Sequence, residues 1–260
     1  MAHRSFQDLI RQGHSLGTWS QVASAEMIDM LGAARLDFTI VDCEHGAFGI
    51  ETAENLFRAC DANGLVPIVR APSPDAGFVG RALDAGAAAV VLPQIASAAQ
   101  ARARVAAARF APEGTRGACP CVRAGGHFIP DWRGYAQRQR HETGVIALVE
   151  TAEGLAEIEA ITKVEGLLAL LIGPFDLSVS LGHEGDYRAP AVQDALARMV
   201  KAAHAASLPV IAPIFNPDLA EARRQQAEWQ AQGVRHIVFG TDKIVFADAL
   251  SKVQGALGKA

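Results

Sequence analysis

The sequence has little of what would point to a nucleic-acid or membrane partner. The net charge at pH 7 is only −4, and there is neither a block of like charge nor a basic amphipathic stretch. No apolar run approaches the roughly 18 residues of a membrane span. Residues 1–17 are polar and broken by Gly13 and Gly17, unlike a secretory signal. We therefore expect neither kind of partner and a cytoplasmic location.

Cysteine is also scarce. The four cysteines are scattered, and only Cys119 and Cys121 lie close together, in a C-x-C pattern without a second Cys or His pair at zinc spacing. This pattern is weak support for a metal site and favours the reduced thiols of a cytosolic protein. The sequence leaves the role of Cys119 and Cys121 open.

What the sequence does contain is eight apolar runs of strand length. The runs are residues 16–19, 38–41, 66–69, 89–92, 145–149, 167–172, 209–214 and 237–239. Segments of helical length separate most of them, including residues 51–61, 75–84, 97–109, 191–206 and 218–232. Apolar strands that alternate with helices indicate a parallel sheet covered by helices. Eight such units in 260 residues predict an α/β fold of the (β/α)8 TIM-barrel type.

An open, doubly wound sheet is the alternative fold, but no G-x-G-x-x-G turn follows the first run. We therefore predict a single TIM-barrel domain over residues 1–260, with one loop insertion at about 110–143. This insertion contains PEGTRG, CPC, AGGH and DWRGY and is too rich in Gly and Pro for an ordinary helix. Long loops in compact domains are usually functional or disordered. We interpret this one as an active-site cover or a subunit contact.

Polar side chains collect where the apolar runs end. They are Asp42, Glu44 and His45 after the second run, Arg70 after the third, Glu150 after the fifth and Asp176 after the sixth. In a barrel the carboxyl ends of the strands meet at one rim, which carries the active site. Taken singly, Asp176 could cap a following turn, and Thr151 or Glu150 could open the helix that begins near Glu153. Arg70 could pair with a nearby carboxylate. Their coincidence on one rim favours a functional site.

The residue types at this rim indicate its chemistry. Two carboxylates on neighbouring strands, Glu150 and Asp176, suit a hard divalent cation such as Mg²⁺ or Mn²⁺. Arg70 could bind a carboxylate or stabilise an enolate oxygen. His45 could transfer a proton if a carboxylate raised its basicity, and Asp84, ahead of the fourth run, is a candidate for that carboxylate.

Six blocks in order, DCEHG, PIVRAP, LDAGAAAVVLPQ, APEGTRG, VETAEG and GPFDLS, resemble the metal-dependent class II pyruvate aldolases. These are the hydroxyheptanedioate and 2-keto-3-deoxy sugar-acid aldolases, distantly similar to the citrate lyase β-subunit. The resemblance implies a carbon–carbon lyase that uses Mg²⁺, Mn²⁺ or Co²⁺ and reversibly cleaves a 4-hydroxy-2-oxo acid to pyruvate or hydroxypyruvate plus an aldehyde. It also implies a homo-oligomer, a hexamer built as a trimer of dimers, whose C-terminal helix at about 243–256 is exchanged between partner barrels.

The same resemblance implies roles for individual residues. His45 would be the proton-transfer base, Arg70 the transition-state stabiliser and Asp84 the group that tunes the histidine. Glu150 and Asp176 would bind the metal, supported by Asp42 and Glu44. The substrate would contact Trp19, Arg70, Leu148, Gly173, Pro174 and Phe175. Two of these depart from the family pattern, since Leu148 stands where a glutamine contacts the keto acid and Phe175 where a small residue is usual.

Other functions stay open at this point. A CoA-thioester lyase of the citrate lyase β-subunit or malyl-CoA type would need basic residues for the CoA phosphates, which the Arg-rich part of 110–143 could supply. A Schiff-base aldolase would need a lysine on a strand, whereas all five lysines fall in predicted helices or loops: Lys163, Lys201, Lys243, Lys252 and Lys259. A non-catalytic keto-acid binder is disfavoured by the retained His, Arg and carboxylates.

Overall fold

Eight parallel strands close into a barrel in chain order, with β8 hydrogen-bonded back to β1. The structure, a computed structural model, describes residues 4–73 and 75–258. The strands are β1 Ser15–Ser20, β2 Phe38–Asp42, β3 Val66–Arg70, β4 Ala89–Leu92, β5 Gly144–Val149, β6 Leu167–Ile172, β7 Val210–Ile214 and β8 His236–Thr241. The predicted TIM barrel and its eight strands are therefore confirmed.

Helices follow the strands and cover the outside of the barrel. They are α1 Phe6–Arg11, α2 Ala25–Ala33, α3 Ile50–Asn63, α4 Ala76–Asp84, α5 Ala98–Ala108, α6 Trp132–Glu142, α7 Ala152–Ala156, α8 Ile158–Ile161, α9 Pro174–Ser180, α10 Pro190–Ala205, α11 Leu219–Ala231 and α12 Asp242–Leu257. A short 3₁₀ helix spans Arg123–Gly125. Each of the five helical segments named from the sequence matches a helix to within two residues at either end.

Alternation along the strands divides the core into two layers. Ile40 and Ile68 point into the barrel and pack in one cluster of fully buried side chains, whereas Val41 and Val69 point outward to the helices. The amino-terminal helix α1 adds Phe6 and Leu9 to the inner cluster, so it closes the barrel at the end opposite the carboxyl ends of the strands. The floor beneath the functional rim is thus a packed apolar core.

The segment 110–143 differs from the prediction in two ways. Its second half is helix α6, because the Gly and Pro residues are concentrated before Asp131, whose side chain caps the helix by accepting the N–H of Gly134. The segment also follows α5, which has returned the chain to the amino-terminal end of the barrel. It is therefore not a cover for the active-site rim of its own chain, and its role as a subunit contact stays a prediction.

The carboxyl-terminal helix α12 confirms the predicted helical tail but packs little of its length against the barrel. Asp242 is its one buried residue within the described range, and apolar side chains along it are exposed: Val245, Phe246, Leu250, Val253 and Leu257. Exchange of this helix between subunits stays a prediction. Across residues 4–73 and 75–258, no helix combines the length and apolarity needed to cross a membrane.

Candidate active site

The carboxyl ends of the strands surround a cavity of about 540 Å³. Its lining includes nine residues that the sequence analysis assigned to metal, substrate or catalysis: Trp19, His45, Arg70, Leu148, Glu150, Gly173, Pro174, Phe175 and Asp176. Asp42 and Glu44 support the lining from the side of Arg70. The structure thus brings the predicted site residues together, with the exception of Asp84.

Arg70, the last residue of β3, is held by two carboxylates. Its Nε and Nη2 atoms donate to Oδ1 and Oδ2 of Asp42 at 2.8 and 2.6 Å, and its Nη1 atom lies 3.0 Å from Oε2 of Glu44. Asp42 is the residue directly opposite Arg70 on the neighbouring strand β2. A guanidinium carries five N–H donors, so this arrangement fixes the orientation of Arg70 and leaves donors on both Nη atoms for a ligand.

Asp42 is completely buried, and its carboxylate accepts hydrogen bonds from several groups around it. Burial alone would raise the pKa of Asp42, but the hydrogen bonds and charge of Arg70, with help from Gln21, lower the pKa below its ordinary value. The backbone N–H groups of Glu44 and His45 also donate to Oδ1 of Asp42, at 3.1 and 3.3 Å. The ionised Asp42 therefore positions both Arg70 and the loop that carries His45.

Trp19 forms the face on which Arg70 rests. The centre of the Arg70 guanidinium lies 4.4 Å from the ring centroid of Trp19, a cation–π distance. The Nε1 atom of Trp19 is buried and has no hydrogen-bond partner among the described residues. An unpaired buried donor is costly, and this one belongs to a residue that lines the cavity.

Glu150 follows β5 and is almost fully buried, but it does not cap a helix. Thr151, the other cap candidate of the sequence analysis, caps α7 by accepting the N–H of Gly154 at 3.1 Å. Oε1 of Glu150 accepts the backbone N–H of Gln94 at 3.0 Å. Burial, followed by the negative charge of Asp176, raises the pKa of Glu150 to about 8 against this hydrogen bond.

Asp176 lies in the first turn of α9, whose N-cap is Gly173. It is not the cap, and it accepts no hydrogen bond from the residues that the structure describes. Its charge faces those of Glu150 and Glu44, since it raises the pKa of both. Two carboxylates that repel each other beside a cavity are a suitable donor set for a divalent cation.

A second observation supports this fit. Gly173 lies so close to Glu150 that a Cβ atom on it would be 2.7 Å from Oε2, and the missing side chain keeps the space beside this oxygen open. Within 4–73 and 75–258 no group of three or more His, Cys, Asp or Glu side chains could hold a metal ion. The protein would therefore supply two oxygen ligands, and water or substrate oxygens would complete the coordination, as is common for Mg²⁺.

The open space beside Glu150 gives a testable prediction. We expect Gly173→Ala to lower divalent-metal affinity by about 10–100-fold, because the new methyl group would displace the carboxylate of Glu150, a predicted metal ligand. Titration calorimetry with Mn²⁺ measures this affinity. The matched control is Gly117→Ala, where an added Cβ meets no atom within 4 Å. Unchanged Mn²⁺ affinity in Gly173→Ala would remove Glu150 from the metal site.

Asp84 is not near His45 within the chain. It is the last residue of α4 and precedes β4, so it lies at the amino-terminal end of the barrel, opposite the cavity. Its Oδ1 atom accepts a hydrogen bond from Nη2 of Arg116 at 2.6 Å. The Arg116 side chain is completely buried and lies 4.5 Å from the ring centroid of Phe110. The predicted His45–Asp84 interaction is therefore not formed within one chain, because the residue follows a helix that leads away from the rim.

We expect Asp84→Asn to lower the free energy of unfolding by about 1–3 kcal/mol, because the buried Arg116 loses its charged partner. Urea denaturation measures the change. Asp248→Asn is the control, since Asp248 pairs with the exposed Lys252 and surface pairs contribute about 0–1 kcal/mol. A lower turnover rate with unchanged stability would instead favour the role in tuning His45.

The cavity also contains residues that the sequence analysis did not single out. They are Gln21, Ile172, Tyr187, Pro213, Phe215, Thr241 and Ile244. Gln21 and Phe215 directly follow β1 and β7, so the rule applied to the other strand ends would have found them. Tyr187 lies in the connection from α9 to α10 and gives no signal in the sequence.

Comparison with known proteins agrees with the architecture. The family model described as HpcH/HpaI aldolase/citrate lyase matches residues 15–248. A 2-dehydro-3,6-dideoxy-6-sulfogluconate aldolase of Pseudomonas putida is 37% identical over 202 residues, 78% of this chain and 78% of the relative. A hydroxypyruvate/pyruvate aldolase of Paraburkholderia phytofirmans is 35% identical over 232 residues, 87% of this chain and 86% of the relative.

Solved structures give the same result. A crystal structure of an HpcH/HpaI aldolase/citrate lyase family protein from Burkholderia cenocepacia J2315 superposes with a TM-score of 0.86 at 32% identity. The match covers 95% of each chain. Family model, sequence relatives and superposition together span the whole barrel and its functional rim, and the chain belongs to the HpcH/HpaI aldolase/citrate lyase family.

Proposed function

We propose that the protein is a class II aldolase that reversibly cleaves a 4-hydroxy-2-oxo acid to pyruvate, or hydroxypyruvate, plus an aldehyde. The observation that carries this proposal is the arrangement of one arginine and two uncompensated carboxylates around a single cavity. Arg70 presents N–H donors, and Glu150 and Asp176 present oxygen ligands. The names of the relatives, a sulfogluconate aldolase and a hydroxypyruvate/pyruvate aldolase, support the same reaction class.

The residues of the chain divide the work by charge. Arg70 stabilises the oxygen that becomes negative as the keto acid enolises, because Asp42 and Glu44 hold its guanidinium at the edge of the cavity. His45, exposed to the cavity, accepts or returns the proton during cleavage. Trp19 excludes water from one face of Arg70.

Glu150 and Asp176 would hold Mg²⁺, Mn²⁺ or Co²⁺. When bound, such an ion supplies positive charge that makes the protons next to the keto group more acidic. The Schiff-base alternative is not supported, because the four described lysines, Lys163, Lys201, Lys243 and Lys252, are exposed and none of them lines the cavity. The fifth, Lys259, lies outside the described residues.

The CoA-thioester lyase alternative also lacks support. Its phosphate-binding residues were expected from the segment 110–143, and no residue of this segment lines the cavity. The segment instead contacts α4 and the amino-terminal end of the barrel through Arg116 and Arg123. A simple keto acid and an aldehyde are therefore the proposed substrates.

Two experiments test the function. With metal present, the methyl protons of pyruvate should exchange with solvent deuterium, and a 4-hydroxy-2-oxo acid should be cleaved; proton NMR follows both. Exhaustive chelation should reduce both rates to background, and Mg²⁺, Mn²⁺ or Co²⁺ should restore them. Full activity after chelation, or a substrate adduct trapped by borohydride, would contradict the metal-dependent mechanism.

We also propose that the chain assembles into a homo-oligomer, a hexamer of three dimers, in which α12 packs on a partner barrel. The support is the apolar face of α12, where Phe246, Leu250 and Val253 are more than half exposed. Light scattering coupled to gel filtration measures the assembly. The location in the cytoplasm stays a prediction from the sequence.

A further inference from the structure

Resting on the proposed function, we infer that the acceptor aldehyde is neutral and largely apolar, with an aliphatic or aromatic body, and carries no carboxylate or sulfonate. The inference concerns the half of the cavity that is lined by side chains from the carboxyl ends of β6, β7 and β8 and from the α9–α10 connection.

The wall of this half is apolar. Its side chains are Phe175, Tyr187, Pro213, Phe215 and Ile244. Phe175 is half exposed, but its ring packs over the backbone of Gly185, where an added Cβ would lie 2.9 Å from a ring carbon. This contact holds the ring of Phe175, the bulky residue noted in the sequence, as part of the wall. A cavity of about 540 Å³ is much larger than pyruvate needs, so the wall must contact the second substrate.

The charges of the site point the same way. Arg70 is the one Arg or Lys among the described residues that line the cavity, and Asp42 and Glu44 already neutralise it. The carboxylates of Glu150 and Asp176 also line the cavity. After a metal and the keto acid bind, no Arg or Lys among the described lining residues remains for a second anionic group. A charge buried without a partner is strongly unfavourable.

Arg188, the nearest arginine to the apolar wall in sequence, does not change this balance. It follows Tyr187, but its Nη1 atom lies 3.0 Å from Oε2 of Glu228 and its Nη2 atom lies 2.7 Å from Oε1 of Glu221. Both carboxylates belong to α11, on the outside of the barrel. Arg188 is thus doubly paired, and it lines a second, small cavity that shares Tyr187 and Phe215 with the active-site cavity.

Apolar contacts can select the aldehyde without taking part in the chemistry. In the synthetic direction, C3 of pyruvate loses a proton to a base and forms a bond to the aldehyde carbon. The aldehyde oxygen then receives a proton and becomes the 4-hydroxyl group. The charged atoms of this step lie near Arg70 and His45, whereas the aldehyde substituent rests on Tyr187, Phe215 and Ile244. The substituent therefore determines affinity and specificity rather than the chemical step.

The test compares matched pairs of aldehydes with the metal-loaded protein and pyruvate. Benzaldehyde is paired with 4-formylbenzoate, and hexanal with 6-oxohexanoate, so each pair differs by one carboxylate. We expect kcat/KM for the neutral member to exceed that for the anionic member by about 100-fold, within the range that apolar contacts give. In every run the exchange of pyruvate methyl protons without aldehyde is measured as the reference rate.

A charge introduced into the wall should change this ratio. Phe215→Arg should reduce the preference for the neutral aldehydes by about tenfold or more, since the guanidinium would form charge-assisted hydrogen bonds with the carboxylate of the anionic member. Phe128→Arg is the matched control, because Phe128 is exposed in the segment 110–143 at the far end of the barrel and should leave the ratio unchanged. If Phe215→Arg does not fold, Ile244→Arg in the first turn of α12 replaces it.

The outcomes separate the two proposals. Methyl exchange with a preference for neutral aldehydes supports both. Methyl exchange with equal or higher kcat/KM for the anionic members overturns the inference about the acceptor and leaves the aldolase function intact. Absence of both exchange and product with every aldehyde contradicts the proposed function, and the acceptor inference falls with it.

Discussion

Replacing Arg70 by alanine is expected to lower turnover by about 10²–10³-fold, the range for loss of one group that stabilises an oxyanion. The reason is that negative charge develops on the keto oxygen only as the methyl proton leaves, so Arg70 binds the transition state more strongly than the substrate. The exchange of pyruvate methyl protons should slow by a similar factor, because this exchange needs enolisation and no bond cleavage. Arg70→Lys should rescue poorly, since an ammonium cannot pair with Asp42 and Glu44 through the same planar fork.

The same substitution should destabilise the fold. Asp42 would stay completely buried without its cation, and removing one partner of a buried pair costs about 3–5 kcal/mol. The remaining hydrogen bonds from Gln21, Glu44 and His45 favour the lower end of this range. Adding Asp42→Asn to the Arg70→Ala variant should restore part of the stability but none of the turnover. This double variant separates the structural role of Arg70 from its chemical role.

The ion pair also predicts how stability depends on pH. Arg70 lowers the pKa of Asp42 below the ordinary value of 3.8, so the unfolded chain binds the proton first as the pH falls. The contribution of the pair is therefore complete above pH 3.8 and is lost as the pH falls through the lowered pKa. Urea unfolding between neutral and acidic pH measures this loss.

One result would contradict the catalytic role of Arg70. If the Arg70→Ala variant exchanged the methyl protons of pyruvate at the normal rate but bound pyruvate more weakly, Arg70 would act in substrate capture only.

Replacing His45 by alanine is expected to lower turnover by about 10²–10⁴-fold, the range for a positioned acid–base group. The His45 side chain lines the cavity, and its backbone is fixed to Asp42, so the substitution removes the ring without removing the loop. Stability and Mn²⁺ affinity should stay close to those of the unchanged protein. Steady-state cleavage of a 4-hydroxy-2-oxo acid measures the first effect, and calorimetry measures the second.

The control for His45 is His14→Ala. His14 is exposed and precedes β1, so it lies at the amino-terminal end of the barrel and should not affect turnover. Near-normal turnover of His45→Ala in a folded protein would show that the histidine is structural. A loss of Mn²⁺ affinity in this variant would instead assign His45 to the metal site together with Glu150 and Asp176.

Much of the fold and the rim could be predicted from local patterns. Each strand is a near-continuous apolar run because both faces of a parallel strand are buried. The burial of Ile40 and Ile68 can therefore be predicted from the sequence of each strand alone. Polar residues such as Arg70 and Glu150 stand out because a charged group directly after a buried strand is expensive unless it has a function. The family resemblance added the roles of these residues, and it rests on the same strand ends.

Other features depend on packing between distant parts of the chain. The motif around Asp84 predicts a catalytic residue. In the structure Asp84 ends α4 and pairs with the buried Arg116, so it lies at the other end of the barrel. The composition of the segment 110–143 suggests an active-site cover or a subunit contact. Because α5 has already returned the chain to the amino-terminal end of the barrel, the segment does not cover the rim of its own chain. In both cases the motif gives the residue type, whereas the end of the barrel follows from helix direction.

The sequence by itself determined the strands, most of the helices between them and the charged groups at the rim. The reason is that burial and helix periodicity each produce a pattern of apolar and polar residues within a short stretch of chain. Only the tertiary structure decided which carboxylate orients Arg70, which arginine pairs with Asp84 and which side chains face the second substrate. Tyr187, Phe215 and Ile244 are ordinary apolar residues in their own segments. They form a wall only because barrel closure brings β6, β7 and β8 to one side of a common axis.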